Sequence, residues 1–193
     1  MKNIVIAFGI LVTVACSHAF ASDEYRLDKK LSSISFSTIK NQYEIEPASI
    51  QPAVGVLSED GRLSLSLDIT TIKTGVSIRD TRLSELYFES ALFPKVNIVG
   101  HIDRTLFTTG AQHAIIPVDV ELYGVKKTLR FPVTVIPTEH YLIASTSSPV
   151  MINAKDFGIP SENSATLAKL AGGITISDKT PLNFSLVFVK QEK

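Results

Sequence analysis

Apolar and polar residues alternate along most of this chain. Leu63, Leu65, Leu67 and Ile69 take turns with Ser64, Ser66, Asp68 and Thr70. The same rhythm pairs Ile34 and Phe36 with Ser33, Ser35 and Ser37, and Val118, Val120 and Leu122 with Asp119 and Glu121. It returns in Leu129, Phe131, Val133 and Val135 and again in Phe184, Leu186 and Phe188. A period of two puts one face of a strand on an apolar interior and the other in water. Further strands are predicted around 53–57, 96–102, 114–117, 142–147 and 150–152. Turn chemistry separates them at Glu59-Asp60-Gly61, Thr109-Gly110, Tyr123-Gly124-Val125-Lys126 and Pro137-Thr138-Glu139. Eight or so strands at this spacing predict an all-β protein, an antiparallel barrel or sandwich.

Two short helices interrupt the strands. After the Thr74-Gly75 break, Leu83, Leu86 and Tyr87 share a helical face, and Ser77 three residues before Asp80 suggests a capping box. A second helix is predicted over about 163–171, stopped by Gly172-Gly173. Helices this short are marginal alone and must lean on the sheet, as plugs or lids for a barrel's ends. Glu44 and Glu46 lie one strand period apart in a loop-like, Pro-bounded segment and read as solvated.

The first 21 residues stand apart. Lys2 precedes an apolar run over 4–15, and Ala19-Phe20-Ala21 makes a small-x-small cleavage site. The run is too short to span a bilayer, and the pattern is that of a secretory signal. The expected division is a signal peptide over 1–21 and one mature domain over 22–193, exported to the periplasm. Processing at Cys16 to a lipid-modified terminus is the alternative. Cys16 is the only cysteine, so the mature domain relies on its core and sheet rather than on a disulfide.

Charge adds little to this picture. Removing the signal takes Lys2 and no acid from a balance of 19 basic and 19 acidic residues. A polyanionic partner such as nucleic acid calls for a clustered basic face, and none is expected here. An outer-membrane barrel would show the same alternation with its greasy face outward. The absence of Trp, the Ser, Thr, Asp and Glu on the strand faces, and the tail Lys190-Gln191-Glu192-Lys193 favour the water-soluble version, without stable membrane insertion. A monomer or weak homodimer is expected.

Motifs for catalysis and metal binding are missing. There is no Gly-x-Ser-x-Gly elbow, P-loop or GxGxxG, and His101, His113 and His140 have no metal-ligand spacing. No cofactor and no metal site is expected.

The order of motifs carries the strongest functional signal. Tyr25-Arg26-Leu27-Asp28 with Ser33-Ile34-Ser35-Phe36, then Ile72-Lys73-Thr74-Gly75 with Arg79-Asp80, Leu83 and Ser84, then Ile116 to Leu129, then Asp156-Phe157-Gly158, together resemble the YceI-like family. Arg82 stands where that family usually has a histidine. The resemblance covers nearly all of the mature chain and implies a secreted eight-stranded lipocalin-like barrel with one or two short helices. It implies non-catalytic binding, transport or sequestration of an isoprenoid or quinone-like lipid. The inward positions expected to line its cavity are Ile34, Phe36, Leu65, Leu67, Phe88, Phe93, Val120, Phe131, Phe184 and Phe188. Arg79 and Asp80 read as an ion pair and cap, with orientation of a ligand head group as the other option. An enzyme working inside the barrel and a solid-cored interaction module remain as alternatives.

Overall fold

A computed structural model describes residues 24–108 and 110–191. The expected export signal and cleavage motif, Cys16, Thr109 and the last two residues lie outside the described residues. Alternation does build strands, and eleven of them make one antiparallel sheet among the described residues. They are β1 (Glu24–Leu27), β2 (Ser33–Lys40), β3 (Glu44–Ile50), β4 (Pro52–Ser58), β5 (Arg62–Asp68), β6 (Lys95–His101), β7 (Gln112–Leu122), β8 (Val125–Pro137), β9 (Tyr141–Thr146), β10 (Val150–Asn153) and β11 (Lys179–Lys190).

Three pairs of these are single staves broken in the middle. Along one side of β11, β1 takes the end with Leu27 opposite Phe188, and β2 takes the start with Phe36 opposite Leu182. On the other side, β9 and β10 divide β11 in the same way. Likewise β3 pairs with β2 and β4 with β1. The eleven segments therefore act as eight staves, and the pairing of β1 with β11 closes the ring. The fold is an eight-stranded lipocalin-like barrel.

The acidic, proline-bearing stretch expected to be loop-like is instead strand. Pro47 lies opposite Ser37, in a part of β3 whose only neighbouring strand is β2, so its missing N–H breaks no ladder. Asn41 and Gln42 both take left-handed backbone, with φ of 47° and 68°, and turn β2 tightly into β3. Tyr123-Gly124 does the same between β7 and β8.

The two barrel ends differ. At one end, Ile102 and Leu106 are buried and the Tyr25 and Phe107 rings meet at 6.0 Å. Gly61 makes the turn there, its carbonyl accepting from the Ile102 N–H at 2.7 Å. This end is sealed. The other end carries α1 (Ser77–Arg82), which widens into a π-turn over Leu83–Tyr87, and α2 (Ser161–Leu170).

No side chain of Ser77 caps α1. Asp80 turns back instead, its Oδ1 accepting from the Thr74 N–H and hydroxyl, both at 2.7 Å, while Lys73 lies 3.6 Å from Oδ2. Arg79 then ties α1 to the barrel by donating to Glu46 on β3, which also accepts from Lys40 on β2. These two cations, Arg79 foremost, hold the Glu46 carboxyl below the usual carboxylate range. The acid read as solvated is thus a latch.

Gly61 sits at φ +90° and an added Cβ would fall 2.2 Å from the Ile102 carbonyl oxygen. Gly61→Ala should therefore cost about 2–4 kcal/mol, seen as a melting point lower by roughly 5–15 °C. A depressed carboxylate contributes stability that is present above its unfolded pKa and lost as pH falls through the folded one. Glu46→Gln should lower the neutral-pH melting point by no more than about 4 °C and flatten its decline between about pH 5 and pH 3. Thermal melts across that range check both.

Candidate lipid-binding cavity

The inward side chains of an eight-stranded barrel can fill the interior or leave room for one slim guest. Here they leave room. A cavity of about 490 Å³ runs inside the barrel, within the usual range for small-molecule sites. Its walls come from every second position along most strands, because alternation puts those residues on one face. β2 supplies Ile34 and Phe36, β5 supplies Leu65 and Leu67, β7 supplies Val118 and Val120, and β8 supplies Phe131 and Val133. The Phe131 and Phe184 rings, from β8 and β11 on either side of β9, meet at 5.6 Å. Phe88 enters from the end of the π-turn, its ring edge-on to Tyr87 at 4.8 Å.

Of the ten lining positions expected, Ile34, Phe36, Leu65, Leu67, Phe88, Val120, Phe131 and Phe184 border the cavity. The structure places Phe93 and Phe188 off it. Phe188 faces inward but too near the sealed end, where it is buried opposite Leu142 and Leu27 as part of the floor. Phe93 belongs to the loop before β6 and stacks on Tyr123 with ring centroids 4.1 Å apart. Other wall residues carry no alternating signal. Leu167 and Ala171 come from α2 and its end, and Ile174 and Ile176 from the loop that follows. Thr38 and Lys40 simply continue the parity of Ile34 and Phe36 and were legible in the same pattern.

Polar groups gather where the cavity opens. Lys40, Arg79, Arg82, Tyr87 and Asp178 all border it there, besides the hydroxyls of Ser177 and Thr180. They are engaged with the protein. Lys40 and Arg79 share Glu46, and Arg82 donates to the Leu170 carbonyl at 3.3 Å. Asp178 accepts from Ser164 at 3.1 Å and pairs with Lys155 at 2.8 Å, which holds its carboxyl low. Burial pushes the Tyr87 phenol up. Asp178 and Tyr87 are therefore moved away from neutrality in opposite directions, the reverse of what proton transfer at pH 7 requires. The arrangement can hold an amphiphile, with carbon along the walls and hydrogen-bonding groups at the rim.

His101 ends β6, His113 meets the Thr134 hydroxyl at 3.1 Å on the outer surface, and His140 lies in the turn before β9. They lie on separate elements and do not border the cavity.

Known structures share this architecture. A polyisoprenoid-binding domain from Saccharophagus degradans, implicated in plant cell wall breakdown, superposes with a TM-score of 0.80 at 22% identity, covering 86% of this chain and 98% of that one. BcnA of Burkholderia cenocepacia aligns with a TM-score of 0.61 at 14% identity, over 83% of this chain and 98% of its own. The Campylobacter jejuni YCEI protein follows at 0.50 and 14%, over 99% and 94%. No curated protein matches the chain. At such identities the likeness establishes the fold alone. The sequence itself goes further: residues 25–188 match the YceI-like domain, and the chain belongs to that family.

Proposed function

We propose that this protein is a non-catalytic carrier that sequesters or transports a long apolar molecule, an isoprenoid or quinone-like lipid, in the periplasm. One observation carries the reading: a barrel closed on all sides and sealed at one end encloses a carbon-lined hollow that opens among polar groups at the other. Burying about ten methylene-sized groups there would yield on the order of 8 kcal/mol before ordering costs. The polyisoprenoid-binding domain with the same fold supports the ligand class. The predicted signal supports export, with a mature chain from Ser22 acting as a monomer or weak dimer.

Native mass spectrometry of protein taken from its own periplasm should show extra mass that extracts unchanged into organic solvent, on a chain beginning at Ser22. Protein that carries no extractable lipid, or that turns the lipid over, would sink the carrier reading. Ala144 faces the cavity from β9. Ala144→Phe should fill the deep end of the hollow and weaken lipid uptake at least about tenfold, with the strand signal in circular dichroism kept.

A further inference from the structure

The rim of the open end combines two features that the carrier reading leaves unexplained. Large apolar side chains stand in solvent there: Tyr43 is 87% exposed, Ile45 68% and Ile78 58%, with Val76 and Leu170 also exposed. They come from three separate elements that converge on one opening. Tyr43 and Ile45 belong to the β2–β3 turn and the start of β3, beside Lys40 and Glu46. Val76 and Ile78 come just before Arg79, which joins them to that same Glu46. Leu170 ends α2, and its carbonyl receives Arg82.

Two of these side chains, Val76 and Ile78, also border the cavity. The carbon surface of the interior is therefore continuous with carbon exposed outside. At the sealed end the exposed groups include Glu59, Asp60, Arg62 and Arg104. Exposed aliphatics on the flanks, such as Ile115 beside Pro132 and Val99 beside Asp119, are scattered singly, as on ordinary surfaces.

Resting on the carrier reading, we infer that this rim is a membrane-docking surface: the open end settles on a lipid bilayer with its aliphatic ring a few ångströms into the interface. A guest with almost no aqueous solubility then passes between bilayer and barrel without crossing water. The charges on the rim indicate how it binds. Lys40 and Arg79 share the one carboxylate of Glu46, Lys73 pairs with Asp80, and the exposed acids Glu44 and Glu85 stand against Arg82 and Lys169 on the same rim. Little net positive charge is left to seek anionic lipid. Adsorption is hydrophobic, of the shallow interfacial kind, and so insensitive to salt.

The test is flotation of the delipidated protein with phosphatidylcholine vesicles doped with a polyprenol, at about 0.1 M and about 1 M salt. The protein should float equally in both and emerge carrying polyprenol. Tyr43→Ser, Ile45→Thr and Leu170→Gln together should cut the floating fraction and the rate of uptake from vesicles at least about tenfold. None of the three borders the cavity, so polyprenol bound at equilibrium from detergent micelles, and the melting point, should be unchanged. Protein that takes polyprenol from micelles but never floats, or that floats only with anionic vesicles and is stripped by salt, overturns the docking surface and leaves the carrier standing. Protein that floats without ever taking up polyprenol overturns the carrier and leaves the surface.

Discussion

Closure of the sheet is the constraint on which the rest depends. Both the start and the end of β11 find partners on each side, and the three bonded positions of β1 opposite Lys190, Val189 and Phe188 turn an open sheet into a ring. Where the ring closes there is no edge to invite another chain, and only β3 and β10, at the splayed end, keep one side without a strand partner among the described residues. The ring also fixes the interior width, because eight tilted staves set the radius whatever side chains they carry. With that radius fixed, the hollow follows from which inward residues are large. Phe131 and Phe184 reach one another, whereas Ala144 leaves its share of the space vacant.

Breaking three of the eight staves serves the same end. A long strand on a small barrel must bend strongly, and the interruptions at 28–32, at Gln51 and at 147–149 take up that bend. They also let the open end splay enough to admit α1 and α2. Hydrogen bonds from the β2–β3 hairpin to the loops beside it, such as Asn41 to Thr175 and Ser49 to Lys73, hold the splayed end together. Helices too short to persist alone are then fixed by single polar contacts: Asp80 on the Thr74 turn, Arg79 on Glu46, and Asn163 on the Tyr87 carbonyl.

The sequence made the barrel and most of its wall legible, for a definite physical reason. Alternation reports which side chains share a face, so Ile34, Phe36, Leu65, Leu67, Val120, Phe131 and Phe184 could be grouped from spacing, and the Ser, Thr, Asp and Glu on the opposite face turned that group inward. Alternation is blind to height along the axis. Phe188 has the right parity and still belongs to the floor. Phe93 followed from family likeness rather than from spacing, and it packs outside. The β2–β3 hairpin was hidden because two non-glycine residues, Asn41 and Gln42, adopt left-handed backbone, and because Pro47 normally speaks against a strand. Glu46 could not be paired with Arg79 from sequence, since 33 residues separate them and only the splayed end brings them together.

The floor built from Phe188, Ile102, Leu106 and the Tyr25–Phe107 contact makes this a vessel with one port. On the carrier reading, a guest would leave only by the path it came in on, and a vessel of this shape would not serve as a conduit joining a donor to an acceptor. Delivery would then demand that the whole barrel let go and present the same opening again.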